Sequence, residues 1–184
     1  CTKLPKGEVV GIDICESMLA SATEFCRPNL TFVKADACSF EFDRQFDAVV
    51  SLSTIHWLSD KQKMLKQVAK ALKPGGNFYF LFEAACDEHN VFKASHAIAV
   101  SEKWKSRFQR EYCPTPKILP CDFADQIKNS NLVLEKHEWF DYEKVISRDE
   151  FKQLLELCLK SIQSLNHDYH SEYLDDVLAH YGSL

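Results

Sequence analysis

Six side chains with chemistry of their own stand directly after short apolar runs. Asp13 closes Glu8-Val-Val-Gly-Ile-Asp, and Asp36 follows the run Leu30 to Val33. Ser51 ends Phe46-Asp-Ala-Val-Val-Ser, His56 and Trp57 come shortly after it, and Glu83 closes Asn77 to Glu83. If these runs are parallel strands, the six residues line their carboxyl ends, where such sheets bind ligands. A carboxylate after a strand, one helix ahead of the next strand, can accept both hydroxyls of a ribose diol. Asp13 has that position, and it is equally placed to cap the helix that follows. Asp36 could accept from an adenine amino group while a neighbouring backbone amide reads the ring nitrogen. His56-Trp57 joins an aromatic wall to a ring that can give or take a proton, which suits a small-molecule pocket and also suits plain packing.

Other chemistries find no pattern. There is no Gly-x-Ser-x-Gly, no phosphate loop, and no His and Cys spacing of a zinc site, so hydrolase, NTPase and metal readings drop out. The eight cysteines, at 1, 15, 26, 38, 86, 113, 121 and 158, include no Cys-x-x-Cys pair and read as reduced thiols. With 22 Lys+Arg against 27 Asp+Glu the net charge is −5, and the basic stretch Lys61–Lys73 is spread around a helix, so no nucleic-acid partner is expected. No apolar run approaches the roughly 18 to 20 residues of a membrane span, and Cys1 to Glu8 has no signal-peptide pattern. No membrane association and a cytoplasmic location are therefore expected.

The elements that must position these residues alternate strand and helix, the form of parallel strand-helix-strand units. Strands are expected at Glu8–Asp13, Leu30–Val33, Phe46–Leu52 and Asn77–Glu83. A helix over Glu16–Cys26 should bury Met18, Leu19, Ala22, Phe25 and Cys26. Ser59 with Gln62 forms a capping-box pattern for a helix through Leu72, with Met64, Leu65, Val68 and Leu72 as its apolar stripe. Beyond Ala85, helices are expected over Asp87–Arg110, Asp122–Asn129, Arg148–Leu165 and His170–His180, with an edge strand at Leu132–Tyr142. The whole reads as one domain over 1–184, with halves at 1–85 and 86–184.

In order and spacing, Glu8-Val-Val-Gly-Ile-Asp-Ile-Cys-Glu-Ser-Met-Leu-Ala-Ser-Ala, Phe32-Val-Lys-Ala-Asp-Ala, Phe46-Asp-Ala-Val-Val-Ser, Ile55-His-Trp and Leu72-Lys-Pro-Gly-Gly resemble the ordered motifs of class I S-adenosylmethionine-dependent methyltransferases. Ile55-His-Trp is similar to the branch that methylates small carboxylic acids, including the trans-aconitate and juvenile hormone acid methyltransferases. The resemblance covers about Glu8 to Glu83. It implies an α/β, Rossmann-like fold with a mostly parallel sheet and helices on both faces, and S-adenosylmethionine as cofactor. By position, Asp13 would hold the ribose hydroxyls, Ile14 or Met18 would pack beside the adenine, and Asp36 with Ala37 would read its edge. Ser51 would stand near the methionine moiety, and His56 and Trp57 would line the methyl-transfer site, under a lid drawn from Asp87–Arg110. Lys105 or Arg107 would pair with the substrate, unless that segment is simply a solvated helix face.

The sequence departs from the family in three places. Cys15 stands where a Ser-like cap is usual. The family's Gly-x-Gly-x-Gly loop and its last strand have no counterpart, so the fold is expected to be incomplete at both ends. With the family's strand order, 3-2-1-4-5-7-6, the missing first strand would leave unpaired edges at Glu8–Asp13 and Phe46–Leu52. A partial gene product, pairing in another order, or a homodimer through the exposed sheet edge would each account for them. The expected function is methyl transfer to a small-molecule carboxylate, which is already ionised at pH 7 and requires no general base. The rivals are a non-catalytic methyltransferase-like interaction module and a dinucleotide-dependent oxidoreductase, which Asp13 fits but Asp36 and His56-Trp57 do not.

Overall fold

A computed structural model describes residues 4–83, 91–108, 120–140, 145–159 and 161–183. In chain order the elements are β1 (Val9–Asp13), α1 (Glu16–Thr23), β2 (Leu30–Lys34), β3 (Phe46–Leu52), a 3-10 turn at Ile55–Trp57, α2 (Lys61–Ala71) and β4 (Leu72–Leu81). They continue with α3 (Val91–Ala99), α4 (Pro120–Lys128), α5 (Arg148–Cys158), 3-10 turns at Ile162–Ser164 and His167–Tyr169, and α6 (His170–Tyr181). No helix among the described residues is long and apolar enough to cross a membrane. The chain divides into two compact units, Cys1–Glu83 with Ile118–Lys136, and Ala84–Lys117 with His137–Leu184.

The first unit is α/β, and its strand pairs are parallel. β1 runs beside β2 with Val9 opposite Leu30 and Asp13 opposite Lys34, and β3 runs beside β4 with Val49 opposite Phe78 and Leu52 opposite Leu81. Each pair is a two-stranded sheet of its own, and no ladder joins β1 to β3 among the described residues. Gly11 lies under the Phe32 ring, which would be 2.6 Å from a Cβ added there. The close approach of ring to backbone explains a glycine inside a strand.

β4 starts earlier than Asn77. Phe46 pairs with Leu72 and Ala48 with Asn77, so Lys73-Pro74-Gly75-Gly76 bulges out between them, with Gly75 at φ +78°. Only glycine adopts that backbone without cost, which lets the strand resume after the proline. Lys73 Nζ donates to both carboxylate oxygens of Asp47, 2.9 Å each.

α1 ends at Thr23 rather than Cys26, because Phe25 and Cys26 turn back through i→i−3 bonds to Ala22 and Thr23. Its expected apolar face is not buried: Met18 and Phe25 are exposed. α2 keeps its stripe, with Met64, Leu65, Val68 and Ala71 all buried in a core shared with Phe40, Ile55, Leu72, Phe123 and Ile127. Asp60, not Ser59, caps it, its carboxylate accepting from Lys63 N at 2.8 Å. Aspartate is as good a cap as serine, and one residue of register decides between them. The last piece of this unit, at 132–136, runs into the strand expected over Leu132–Tyr142. Leu132 and Leu134 do pack on the core in alternation with exposed Val133, but residues 132–140 pair with no strand. The rest of that expected strand lies outside the described residues.

The second unit is helical. Trp104, Leu155, Leu159, Ile162, Tyr173, Leu174 and Val177 form its buried core. Inside it the hydroxyls of Ser95, Ser161 and Tyr173 bond to one another at 3.0 to 3.1 Å, and Tyr173 donates to Ser95 O at 2.8 Å. Mutual satisfaction is what makes three hydroxyls tolerable there. α5 opens with a full capping box between Ser147 and Glu150. The expected helix over Asp87–Arg110 is shorter, α3 giving way to turns after Ala99; residues 87–90 and 109–110 lie outside the described residues. Of Cys113–Pro120, which holds three prolines, 113–119 also lie outside them, and Pro120 opens α4.

The cap assignment makes a stability prediction. Asp60→Ala should lower unfolding free energy by about 1 kcal/mol, while Ser59→Ala should change it by less than about 0.5 kcal/mol, measured by urea denaturation. Equal losses would return the cap to Ser59.

Candidate functional site

The carboxyl ends of β1 and β2 carry the same device twice. Asp13 Oδ1 accepts the N–H of Cys15 at 2.8 Å, and Asp36 Oδ1 accepts the N–H of Cys38 at 2.8 Å. Each aspartate thus turns the chain away from its strand by bonding its own backbone two residues on. In each the second oxygen has no hydrogen-bond partner among the described residues, and neither does the Ala37 N–H. The two turns are neighbours, since Ala35 N donates to Asp13 O at 3.0 Å.

The Asp13 bond bears on its two readings. Cys15 occupies the N-cap position of α1 and its side chain makes no cap bond. Asp13 secures the peptide that enters the helix, and one oxygen suffices for that. Cys15 Sγ lies 3.1 Å from Ser17 Oγ, and chiefly that hydroxyl, with the nearby positive ends of the Met18 and Ser17 amide dipoles, holds the thiol below its ordinary range. Ile14 and Met18, beside Asp13, are 64% and 60% exposed. Ala37 is half-buried and packs against the core.

Near the end of β3, Ser51 is half-buried, and just after the strand Ser53 is held at φ 53°, a left-handed conformation unusual for a side chain with a Cβ. Its N–H donates to Leu81 O at 2.7 Å, which fixes the exit from the strand. The chain then forms the 3-10 turn with Ile55 buried, and His56 and Trp57 half-buried with ring centroids 4.9 Å apart. His56 Nδ1 is buried without a hydrogen-bond partner among the described residues. Desolvation pushes the His56 ring below its ordinary value, nearby Lys61 adds to the effect, and Glu83 opposes it.

Two residues without a sequence signal of their own belong to this region. Lys61 is buried, and its ammonium donates to Leu58 O at 2.7 Å. Cys38 Sγ donates to Asp60 O at 3.3 Å, joining the turn after β2 to the start of α2. The structure therefore gathers Asp13, Ile14, Met18, Asp36 and Ala37 at one pair of strand ends and Ser51, His56 and Trp57 at the other. Lys105 and Arg107 are committed elsewhere in the second unit. Lys105 pairs with Glu102, while Arg107 stacks over Trp104 and Tyr169 and reaches Glu172 at 3.3 Å.

Residues 1–80 match the family model of a methyltransferase domain. The chain is 28% identical over 131 residues to a trans-aconitate 2-methyltransferase of Deinococcus radiodurans, covering 67% of this chain and 48% of that protein. It is 26% identical over 81 residues to a malonyl-[acyl-carrier protein] O-methyltransferase of Priestia megaterium, covering 44% and 30%. The chain thus spans less than half the length of these relatives. The YcgJ protein of Bacillus subtilis shares the fold, with a TM-score of 0.61 at 17% identity over 94% of this chain and 67% of that one.

The desolvated ring makes His56 a source of pH dependence. Its folded value lies below the ordinary 6.5. As pH falls past 6.5, the unfolded chain therefore takes up a proton there that the folded chain resists, and stability declines. In His56→Gln that component should vanish, so the melting midpoint should fall less between pH 7 and pH 5 than in the parent. Parallel curves would show that the ring is not desolvated.

Proposed function

We propose, on the premise that residues 1–80 are part of a class I S-adenosylmethionine-dependent methyltransferase domain, that the protein holds this cofactor across the carboxyl ends of β1 to β4 and methylates a small-molecule carboxylate. The observation that carries the reading is the repeated turn at Asp13 and Asp36. One oxygen of each fixes the backbone and the other remains to accept from a ligand.

The residues present fit the nucleoside part of the cofactor. Asp13 Oδ2 would accept from the ribose hydroxyls, and exposed Ile14 and Met18 offer apolar surface to the adenine. Asp36 Oδ2 and the Ala37 N–H form an acceptor-donor pair suited to the adenine edge. Ser51 would stand by the methionine portion. When bound, the cofactor supplies an electrophilic methyl group on a sulfonium.

His56 and Trp57 would position the acceptor. A carboxylate is ionised at neutral pH, so no proton need be removed from it. His56, which desolvation keeps neutral, would then orient rather than deprotonate. Acting by alignment, the site needs no acid-base pair. The carboxylate acceptor draws on the two relatives named for trans-aconitate and for a malonyl carrier protein; other relatives of similar identity are named as N- and C-methyltransferases.

Calorimetric titration of the chain with S-adenosylhomocysteine tests the cofactor site. Saturable one-site binding is expected, weakened about 10- to 100-fold by Asp13→Asn, which keeps the turn's acceptor but loses the charge-assisted bonds. Asp36→Asn should weaken it less, by about tenfold or under. No binding would favour a non-catalytic module on the same fold, and binding that both variants leave unchanged would take the cofactor away from the two aspartates. With binding established, transfer of labelled methyl to trans-aconitate rather than to amine acceptors checks the acceptor class.

A further inference from the structure

In the second unit, the chain turns back after α5 and sets Glu156 against the start of α6. His167, in the 3-10 turn, and His170, the first residue of α6, stand three apart, the spacing that puts side chains on one side of a helical turn. The three residues each bring a ligand atom within 4.8 Å of the other two. Glu156 and His167 are exposed and His170 is half-buried.

His170 is the telling member. Its Nε2 lies 3.2 Å from the carbonyl oxygen of Leu165, and its Nδ1 lies 3.1 Å from Glu156 Oε1. Both neighbours are acceptors, and a neutral imidazole has one N–H. With that proton on Nε2, donated to the Leu165 carbonyl, Nδ1 turns a lone pair toward a carboxylate oxygen. Such a contact is satisfied by positive charge between the two atoms or on the ring. The His167 ring, with its centroid 4.9 Å from that of His170, brings a further lone pair to the same place.

We propose that Glu156, His167 and His170 bind a divalent transition-metal ion of the zinc class, which staples α5 to the start of α6. Two ligands of a tetrahedral zinc ion, each about 2.0 to 2.1 Å from the metal, stand about 3.3 Å apart, close to the Nδ1 to Oε1 separation. The exposed His167 ring already brings a nitrogen within 4.8 Å of a ligand atom of His170 and of Glu156. The Leu165 carbonyl acts as the outer partner, holding the Nε2 proton so that Nδ1 is the ligand. Two imidazoles with one carboxylate favour zinc, nickel or copper over magnesium or calcium. Three protein ligands leave a fourth position for water. Glu156 also offsets the repulsion between a cation and the amino end of α6. The sequence conceals the site because two histidines with two residues between them fall short of the usual zinc spacing, and Glu156 joins them only through the chain reversal.

The 184-residue chain titrated with Co2+ and followed in the visible region tests the proposal, with Zn2+ calorimetry and melting in parallel. One equivalent of Co2+ should give ligand-field bands without the near-ultraviolet bands of thiolate ligation. His167→Ala should weaken this uptake at least tenfold while leaving the metal-free melting midpoint unchanged. Glu156→Gln should weaken it too, and His137→Ala, at an exposed histidine outside the cluster, should not. Zn2+ should raise the melting midpoint of the parent and not that of His167→Ala. Uptake unaffected by His167→Ala, thiolate bands alone, or no uptake would each overturn the proposal.

Discussion

Two strands that run in the same direction cannot be joined by a tight turn; the chain must cross back through a longer segment before the second strand begins. In the first unit α1 makes that return between β1 and β2, and α2 makes it between β3 and β4. The exits of paired strands then lie at the same end, and so do the polar residues placed just after them. Asp13 and Asp36 become neighbours for that reason, though 23 positions separate them in the sequence. Cys38 and Asp60 tie the first pair's exit to the second pair's crossover. The buried stripe of α2, with Phe123 and Ile127 of α4, holds the platform beneath.

Much of this was legible in the residues. A short apolar run closed by a polar loop marks a parallel strand, and β3 has the bounds expected of it, although Val50 and Leu52 are exposed where burial on both faces is expected. α2 was legible because its stripe is both regular and buried. The misjudged features turn on competition that one sequence does not display. Ser59 and Asp60 are both good caps, and only the register of α2 on the core separates them. Pro74 reads as the end of order, yet Gly75 takes a backbone that lets β4 extend across it. Leu132 and Leu134 alternate as a strand would, but alternation specifies a face to bury and leaves open whether a neighbouring edge exists to receive hydrogen bonds. Met18 and Phe25 follow a helical period, but α1 stops at Thr23 and its apolar side is largely exposed.

The candidate site was legible by type and place, while its local chemistry was not. That Asp13 and Asp36 each close a backbone turn with one oxygen depends on side-chain rotamers. The desolvation of His56 depends on the fold around it, including buried Lys61, whose sequence position suggests an ordinary solvated lysine. The second unit shows the same division. Its core could be anticipated as amphipathic helices, whereas the Ser95, Ser161 and Tyr173 cluster joins residues 66 and 78 positions apart.

The placement of α4 in the first unit has a consequence for synthesis. Both strand pairs are complete in the chain by Leu81, but Phe123 and Ile127, which close their core, come more than 40 residues later. A ribosome adding about 5 to 20 residues per second needs roughly 2 to 8 seconds to cover that interval. During it the stripe of α2 and the inner side of β4 stand partly uncovered on a nascent chain. The aromatic residues of β4 make that an interval in which a newly made copy is open to misassembly.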